Sequence, residues 1–343
     1  MKIAIAGDKF MPSSIFEAAI RRVCGDIEIR TLDVFPLETT RPVDRQSHDL
    51  SALDEYVGDP DQLMSLLEGA EAFVTQMAPL SESMISQLSD LRLVAVARGG
   101  PVNVDVKAAN QHSIKVVNTP GRNATAVAEF TIGAIISQCR NIIRGHDGLR
   151  RGEFRRCYYE YDKVGTELRE MTVGVVGYGH LGKLVVDLLK AFGASIVVTD
   201  PFATVTDADR AYGVCQLSLD DLLAVSDVVT LHQRVTAETR GMFNRDVISR
   251  LKPGAVLVNT ARGSLVDYAA LEEYLDNGHL SGAVIETFPI EPINPDWPLL
   301  RSPNVTLTPH IAGASRLTAN RAAETLAEEV RRWICGEPNL NII

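Results

Sequence analysis

The sequence predicts an α/β protein made of two units, each built on a parallel sheet. Three observations carry that expectation. Short apolar runs alternate with stretches of helical period along the whole chain, the pattern of parallel α/β layers. One strand–helix junction holds a glycine fingerprint, Gly177-Tyr178-Gly179-His180-Leu181-Gly182. At 343 residues the chain has the length for about two domains, each large enough for its own core.

Taken in order, strands are expected at 2–6, 27–31, 72–75, 93–97 and 115–118, with helices between them, for example 14–23 and 61–68. Asn118-Thr119-Pro120-Gly121 breaks the pattern. A long helix is expected from about 124 to 149, with Asn123 as its polar cap. Residues 150–170 are charged and aromatic with no clear period, an excursion before the second unit. A strand at 173–176 then runs into Gly177. Leu181, Leu184, Val185, Leu188 and Leu189 recur at helical spacing, and a strand at 196–199 ends at Asp200. Further strands are expected at 228–231, 255–259, 282–285 and 305–307, and a last helix over about 315–334. There are no repeats and no low-complexity tracts.

A short glycine pattern is weak alone, but here the context is complete. An apolar strand leads in, a helix follows, and a second strand ends in an acid about 20 residues beyond, which is the dinucleotide-binding order. Gly177 is expected to make the tight turn off the strand. Gly179, lacking a Cβ, admits a pyrophosphate to the helix N-terminus, where free N–H groups and the helix dipole favour an anion. Gly182 lets the helix pack closely. Asp200 is expected to accept hydrogen bonds from the adenosine ribose and to repel a 2′-phosphate, which points to NAD over NADP. The first unit has only Gly7 after its opening strand. No nucleotide is assigned to it, and it is cast as the substrate side, since small ligands favour clefts between domains.

Composition narrows the partners. A formal net charge of −10 and a pI near 5.3 argue against nucleic acid or an anionic membrane. No apolar stretch approaches the roughly 20 residues of a membrane span. The opening residues read as a strand, too short for a signal peptide. Cys24, Cys139, Cys157, Cys215 and Cys335 are odd in number and scattered, with no metal-binding spacing. Reduced thiols, no metal and a cytoplasmic location are therefore expected.

Ligands of open parallel sheets bind beyond the carboxyl ends of the strands. In the second unit those positions hold Asp200, His232, Arg262, Glu286, Glu291 and His310. Hydride exchange at a carbinol needs a base for the hydroxyl proton, and His titrates in the right range. A carboxylate beside it orients the ring and raises its pKa. A planar guanidinium suits a substrate carboxylate or a polarised carbonyl. Singly, each has a bland alternative: a surface arginine, a loop-end Glu-Pro, a turn Pro-His. Their co-occurrence after successive strands of one nucleotide-binding unit singles them out.

At this point the sequence resembles the D-isomer-specific 2-hydroxyacid dehydrogenase family over nearly its whole length. The matching motifs are the glycine loop, Leu231-His232 with Thr236-Ala-Glu-Thr239, Asn259-Thr260-Ala261-Arg262-Gly-Ser-Leu-Val-Asp267, Glu291-Pro292 and Thr308-Pro-His310-Ile-Ala-Gly313. Asn118-Thr-Pro-Gly121 with Val127-Ala-Glu129 matches the family's interdomain segment. The resemblance implies two Rossmann- or flavodoxin-like domains. An NAD-binding domain, 120–313, is inserted into a discontinuous substrate-binding domain, 1–119 and 314–343. It implies His310 as general acid/base, Glu291 as its partner, and Arg262 on the carboxylate and carbonyl of the 2-oxo acid. It implies backbone binding of substrate by Gly99 and Gly100 in the loop Arg98-Gly-Gly-Pro101, where two glycines permit a close approach. Tyr178, His180 and Leu181 of the glycine loop join His232, Thr260, Ala261, Glu286, His310 and Gly313 as cofactor residues. A homodimer through the long helix is implied too.

The sequence departs from the family pattern in places. The substrate loop, Arg98 to Asp105, is two residues shorter than the family's R-x-G-x-G-x-D-N-V-D. Glu286 stands for the usual Asp that faces the nicotinamide carboxamide. Arg234 stands for a common Pro, and no regulatory domain is expected after the last helix. The reading is an NAD-dependent D-2-hydroxyacid dehydrogenase. One rival is a short-type D-3-phosphoglycerate dehydrogenase, whose phosphate wants Arg or Lys on the first-domain loops; Gln76-Met77-Ala78-Pro79 offers none. The other is an NAD-sensing binding protein like the family's transcriptional co-repressors.

Overall fold

The computed structural model describes residues 1–34 and 49–343. The chain divides into two compact units, Met1–Asn123 with Ala314–Ile343, and Ala124–Gly313. The first boundary falls after Asn123, slightly beyond the expected 119.

The first unit holds strands β1 Lys2–Gly7, β2 Glu28–Asp33, β3 Ala72–Thr75, β4 Leu93–Val96 and β5 Lys115–Val117. All pair in parallel in the order β2-β1-β3-β4-β5. The central strands are buried on both faces, so they read in the sequence as continuous apolar runs. Phe73, Val94 and Val96 pack on one face with Leu63 and Leu67. On the other, Ile3, Ile5 and Val74 meet Phe16 and the small-residue stripe Ala319, Ala322, Ala323 and Leu326 of the last helix, Arg316–Ile334. That apolar stripe explains why the chain's end belongs to the first unit. Buried Glu329 accepts the N–H groups of Leu340 and Asn341 and pins the tail.

The second unit holds β6 Thr172–Val176, β7 Ser195–Thr199, β8 Cys215–Gln216, β9 Val228–Leu231, β10 Ala255–Asn259, β11 Leu280–Ile285 and β12 Val305–Leu307. The order is β12-β11-β10-β9-β6-β7-β8, all parallel, and it reverses between β6 and β9. The expected long helix is two helices, Ala124–Cys139 and Ile142–Arg150. Asn141 takes a left-handed φ of 57° at the break, a conformation Asn tolerates. The later excursion crosses there: a Cβ on Gly165 would stand 2.4 Å from the Cys139 carbonyl oxygen. No helix among the described residues is long and apolar enough to cross a membrane.

Candidate active site

β6 ends at Val176 and the chain turns at once. Gly177 has φ 96°, and a Cβ on it would lie 2.7 Å from the Gln233 nitrogen and 2.9 Å from the His232 carbonyl carbon. A Cβ on Gly182 would lie 2.0 Å from the Gly177 oxygen, so the close packing expected there is against the turn itself. At Gly179 the Cβ direction is open space. The helix then begins with His180 and Leu181, and the first N–H groups of a helix have no intrahelical partner. An open cradle of N–H donors fits a pyrophosphate.

Asp200 follows β7 and braces this loop. Its Oδ2 accepts the Tyr178 N–H at 2.8 Å, and its Oδ1 accepts those of Phe202 at 2.8 Å and Ala203 at 2.9 Å. A carboxylate has about four acceptor positions, so capacity for a ribose hydroxyl remains. Tyr178 departs from the expectation. Its ring is fully buried and its hydroxyl donates to Asp209, which also pairs with Lys190. The side chain props the loop from beneath instead of facing a cofactor. His232 follows β9, with Nε2 3.0 Å from Thr230 Oγ1. Burial pushes its pKa down to about 3, so the ring is neutral and no candidate for the proton relay. Its Nδ1 is buried with no partner among the described residues, an atom that a bound group could satisfy.

The candidate catalytic residues Arg262, Glu291 and His310 sit after β10, β11 and β12. Asn259 folds the turn beyond β10: its Nδ2 donates to the Arg262 oxygen at 2.9 Å and its Oδ1 accepts the Ala261 N–H at 3.1 Å. Thr260 and Ala261 are buried, the Thr260 hydroxyl 2.9 Å from that of Thr131. Arg262 is exposed, and its Nη1 donates to the Ala261 oxygen at 2.7 Å. Gly263 has no room for a side chain. A Cβ there would meet the Phe288 carbonyl carbon at 2.1 Å and its oxygen at 2.2 Å. The Tyr268 hydroxyl donates to the Thr287 oxygen at 2.7 Å. The turn after β10 is therefore held against the segment after β11.

That segment delivers Glu291. Its Oε1 accepts the Phe288 N–H at 2.8 Å, and its Oε2 accepts from His310 Nδ1 at 2.7 Å. The bond to Glu291 raises the His310 pKa above its ordinary value; partial burial and the nearby Arg262 charge oppose the rise. Arg262 is thus within electrostatic reach of the pair. His310 has φ 53°, a conformation rare outside glycine, and is fixed there by its N–H bonds to the Glu286 and Thr308 oxygens. Buried Glu286 accepts the Ala312 N–H at 2.8 Å, and burial raises its pKa. Its carboxylate thus shapes the 310–312 loop, a use not foreseen for the residue expected at the carboxamide. Gly313 lies in the turn that follows, and Arg234 is exposed.

In the first unit Gly99 and Gly100 are exposed after β4. The Gly99 oxygen accepts from Asn118 Nδ2 at 3.0 Å, and the Thr119 N–H donates to the Arg98 oxygen at 3.0 Å. The loops after β4 and β5 are thereby tied together. Sequence reasoning assigns no role to Gly263 or Tyr268. A glycine beside a candidate arginine is the one signal that the turn must approach another backbone.

The chain is similar to known proteins in sequence and in fold. A family model described as D-isomer specific 2-hydroxyacid dehydrogenase, NAD binding domain, matches residues 132–312. D-3-phosphoglycerate dehydrogenase of Mycobacterium bovis is 36% identical over 280 residues, 81% of this chain and 52% of that protein. The chain thus spans about half the length of that curated relative. Glyoxylate reductase of Korarchaeum cryptofilum is 36% identical over 288 residues, 83% of this chain and 84% of that protein. The crystal structure of TT0316 protein from Thermus thermophilus is similar with a TM-score of 0.81 at 28% identity, covering 100% of both chains.

Proposed function

We propose that this chain, which belongs to the D-isomer-specific 2-hydroxyacid dehydrogenase family, interconverts a D-2-hydroxy acid and its 2-oxo acid by NAD-dependent hydride transfer. The observation that carries the reading is the His310–Glu291 pair at 2.7 Å with the Arg262 charge in reach, in the same unit as the open glycine cradle. Bound nicotinamide dinucleotide supplies the hydride in reduction and accepts it in oxidation. His310, its Nδ1 held by Glu291, uses Nε2 to give a proton to the carbonyl oxygen in reduction and to take one from the hydroxyl in oxidation. Glu291 fixes the ring and favours the imidazolium. Arg262 pairs with the substrate carboxylate and stabilises charge developing on the oxygen. Gly99 and Gly100, exposed after β4 in the first unit, are read as backbone N–H donors to an anion. The loop from Gly177 to Gly182 takes the pyrophosphate and Asp200 the ribose, while His232, Thr260, Ala261 and Gly313 line the cofactor's path.

The protein is further read as a cytoplasmic homodimer. The odd, scattered cysteines support the compartment. Ile142, Leu149, Phe154, Tyr159 and Tyr161 support the dimer: each is more than half exposed, within one short stretch. Val127, Ile132 and Ile135, which lie on the first part of the same expected long helix, are buried in their own unit. The function is tested by turnover of a panel of 2-oxo acids with NADH and NADPH in parallel. Cofactor binding without turnover of any of them would replace the enzyme reading with a sensor.

A further inference from the structure

The loop from Gly177 to Gly182 and the carboxylate of Asp200 form the cradle proposed for pyrophosphate and ribose, and one residue of the second unit joins them. Tyr178 stands between Gly177 and Gly179. Its N–H donates to Asp200 Oδ2 at 2.8 Å. Its hydroxyl donates to Asp209 and accepts the Thr206 N–H at 3.5 Å. The backbone of Tyr178 thus holds the start of the 200–209 segment, and its side chain holds the end. Between those points the segment is closed on itself. Asp200 Oδ1 takes the Phe202 and Ala203 N–H groups, Gln216 Nε2 donates to the Ala203 oxygen at 2.9 Å, and Gln216 Oε1 accepts the Val205 N–H at 3.2 Å. Asp209 also pairs with Lys190, on the helix His180–Ala191 that opens from the glycine loop. Both partners of the phenol–carboxylate bond are buried, Tyr178 being 0% and Asp209 5% exposed. An apolar ring would fill the same space with no hydroxyl to satisfy, and a buried carboxylate is costly unless it is bonded. What the polar pair adds is direction: a fully satisfied buried network fixes one arrangement.

We infer that Tyr178 is a positioning residue for the cofactor: through Asp209 it fixes the separation between the pyrophosphate loop and the ribose acid Asp200, and with it the affinity for the adenosine half and the preference for NADH over NADPH. This rests on the dinucleotide reading above. Pyrophosphate and ribose are covalently joined, so their two sites must stand at the ligand's own spacing before it arrives. A loop free to shift against Asp200 loses that affinity as the cost of ordering. Rejection of a 2′-phosphate depends on the same spacing, because the repulsion from Asp200 falls with distance. The proton relay is held separately, by the bonds of Glu291 to Phe288 and His310.

The test titrates wild type and Tyr178→Phe with ADP-ribose by calorimetry and with NADH and NADPH by fluorescence, and follows unfolding in parallel. ADP-ribose carries the adenosine and the pyrophosphate but no nicotinamide. Tyr178→Phe should raise Kd for ADP-ribose and NADH about tenfold, as expected for a lost bond to a charged group, and lower the preference for NADH over NADPH several-fold. In turnover the loss should fall mainly in KM for NADH and not in kcat. Asp209→Ala should reproduce the weakening, and the double variant should bind no more weakly than Asp209→Ala, the non-additivity of a single clamp. A lower Tm with unchanged Kd values would make the pair structural alone and overturn the inference, and so would additive losses in the double variant. Should Tyr178→Phe not fold, Asp209→Asn, which keeps the shape and removes the charge, is judged by the same titrations. A wild type that binds the dinucleotides but reduces no 2-oxo acid fails the dehydrogenase reading alone, and the Kd values still decide the role of Tyr178. A wild type that binds neither ADP-ribose nor NADH overturns both.

Discussion

The contact that holds the Arg262 turn against the Glu291 segment is testable at one atom. In Gly263→Ala the new Cβ would stand 2.1 Å from the Phe288 carbonyl carbon, 2.2 Å from its oxygen and 2.5 Å from the Pro289 nitrogen. Non-bonded carbon atoms need about 3.5 Å, so the two segments must part by roughly 1–1.5 Å. All three neighbours are backbone atoms, and no rotamer change relieves them. The displacement enters between the Arg262 guanidinium and the pair it serves, because Glu291 is anchored on the Phe288 N–H. A misplacement of about 1 Å costs on the order of 10²-fold in rate. Overpacking costs about 1–3 kcal/mol, and at this domain size each kcal/mol lowers Tm by roughly 2–4 °C. The assay is kcat/KM for reduction of the best 2-oxo acid at 25 °C, with NADH affinity by fluorescence and unfolding by circular dichroism. The expected result is a loss of about 100-fold in kcat/KM and a lower Tm. NADH affinity should stay within a few-fold, because the glycine loop is built on β6 by separate contacts. A lowered Tm with wild-type kcat/KM would refute the link between this packing and the site. Wild-type values for both would refute the packing itself.

Four further outcomes are expected. His310→Ala should lose roughly 10²–10⁴ of kcat. Because reduction needs the imidazolium, it should weaken as pH rises through the raised His310 pKa while oxidation gains; Glu291→Gln removes the largest cause of the rise and should move the reductive profile to lower pH. Superimposable profiles would exclude the pairing. The pair's contribution to folding has the same sign: it is full below the unfolded histidine value of about 6.5 and fades as pH rises through the folded one. At the cofactor, Asp200 should disfavour a 2′-phosphate by roughly 2 kcal/mol or more, a preference for NADH above tenfold, and equal kcat/KM with NADPH would rule this out. Light scattering at micromolar concentration should give the mass of a dimer; a value of 37.4 kDa, that of one chain, would exclude it.

What the sequence discloses depends on whether a feature is repeated along the chain or made once in space. β3, β9 and β10 fall where their apolar runs place them, since a parallel strand buried on both faces shows as an unbroken run. β8 has two exposed residues and therefore no run to see. The helix break at Asn141 is hidden for the opposite reason. Apolar residues continue on both sides of it, and the segment that crosses there arrives from Gly165.

The site divides along the same line. Residue type and position at a strand end are sequence properties, which is why Arg262, Glu291 and His310 are legible as candidates. Partnership is not such a property. Tyr178 and Glu286 stand at motif positions that suggest ligand contacts, yet the fold spends the first on Asp209 and the second on the Ala312 N–H. Arg122 shows the converse. After Asn-Thr-Pro-Gly it is an ordinary loop arginine, and nothing in its neighbours along the chain marks it. Its setting is a sheet edge that half-buries it, sets Arg98 nearby and holds the Asp8 carboxylate on the N–H groups of Phe10 and Met11. A charge is defined by what surrounds it, so such a setting becomes visible only once the strands are in order.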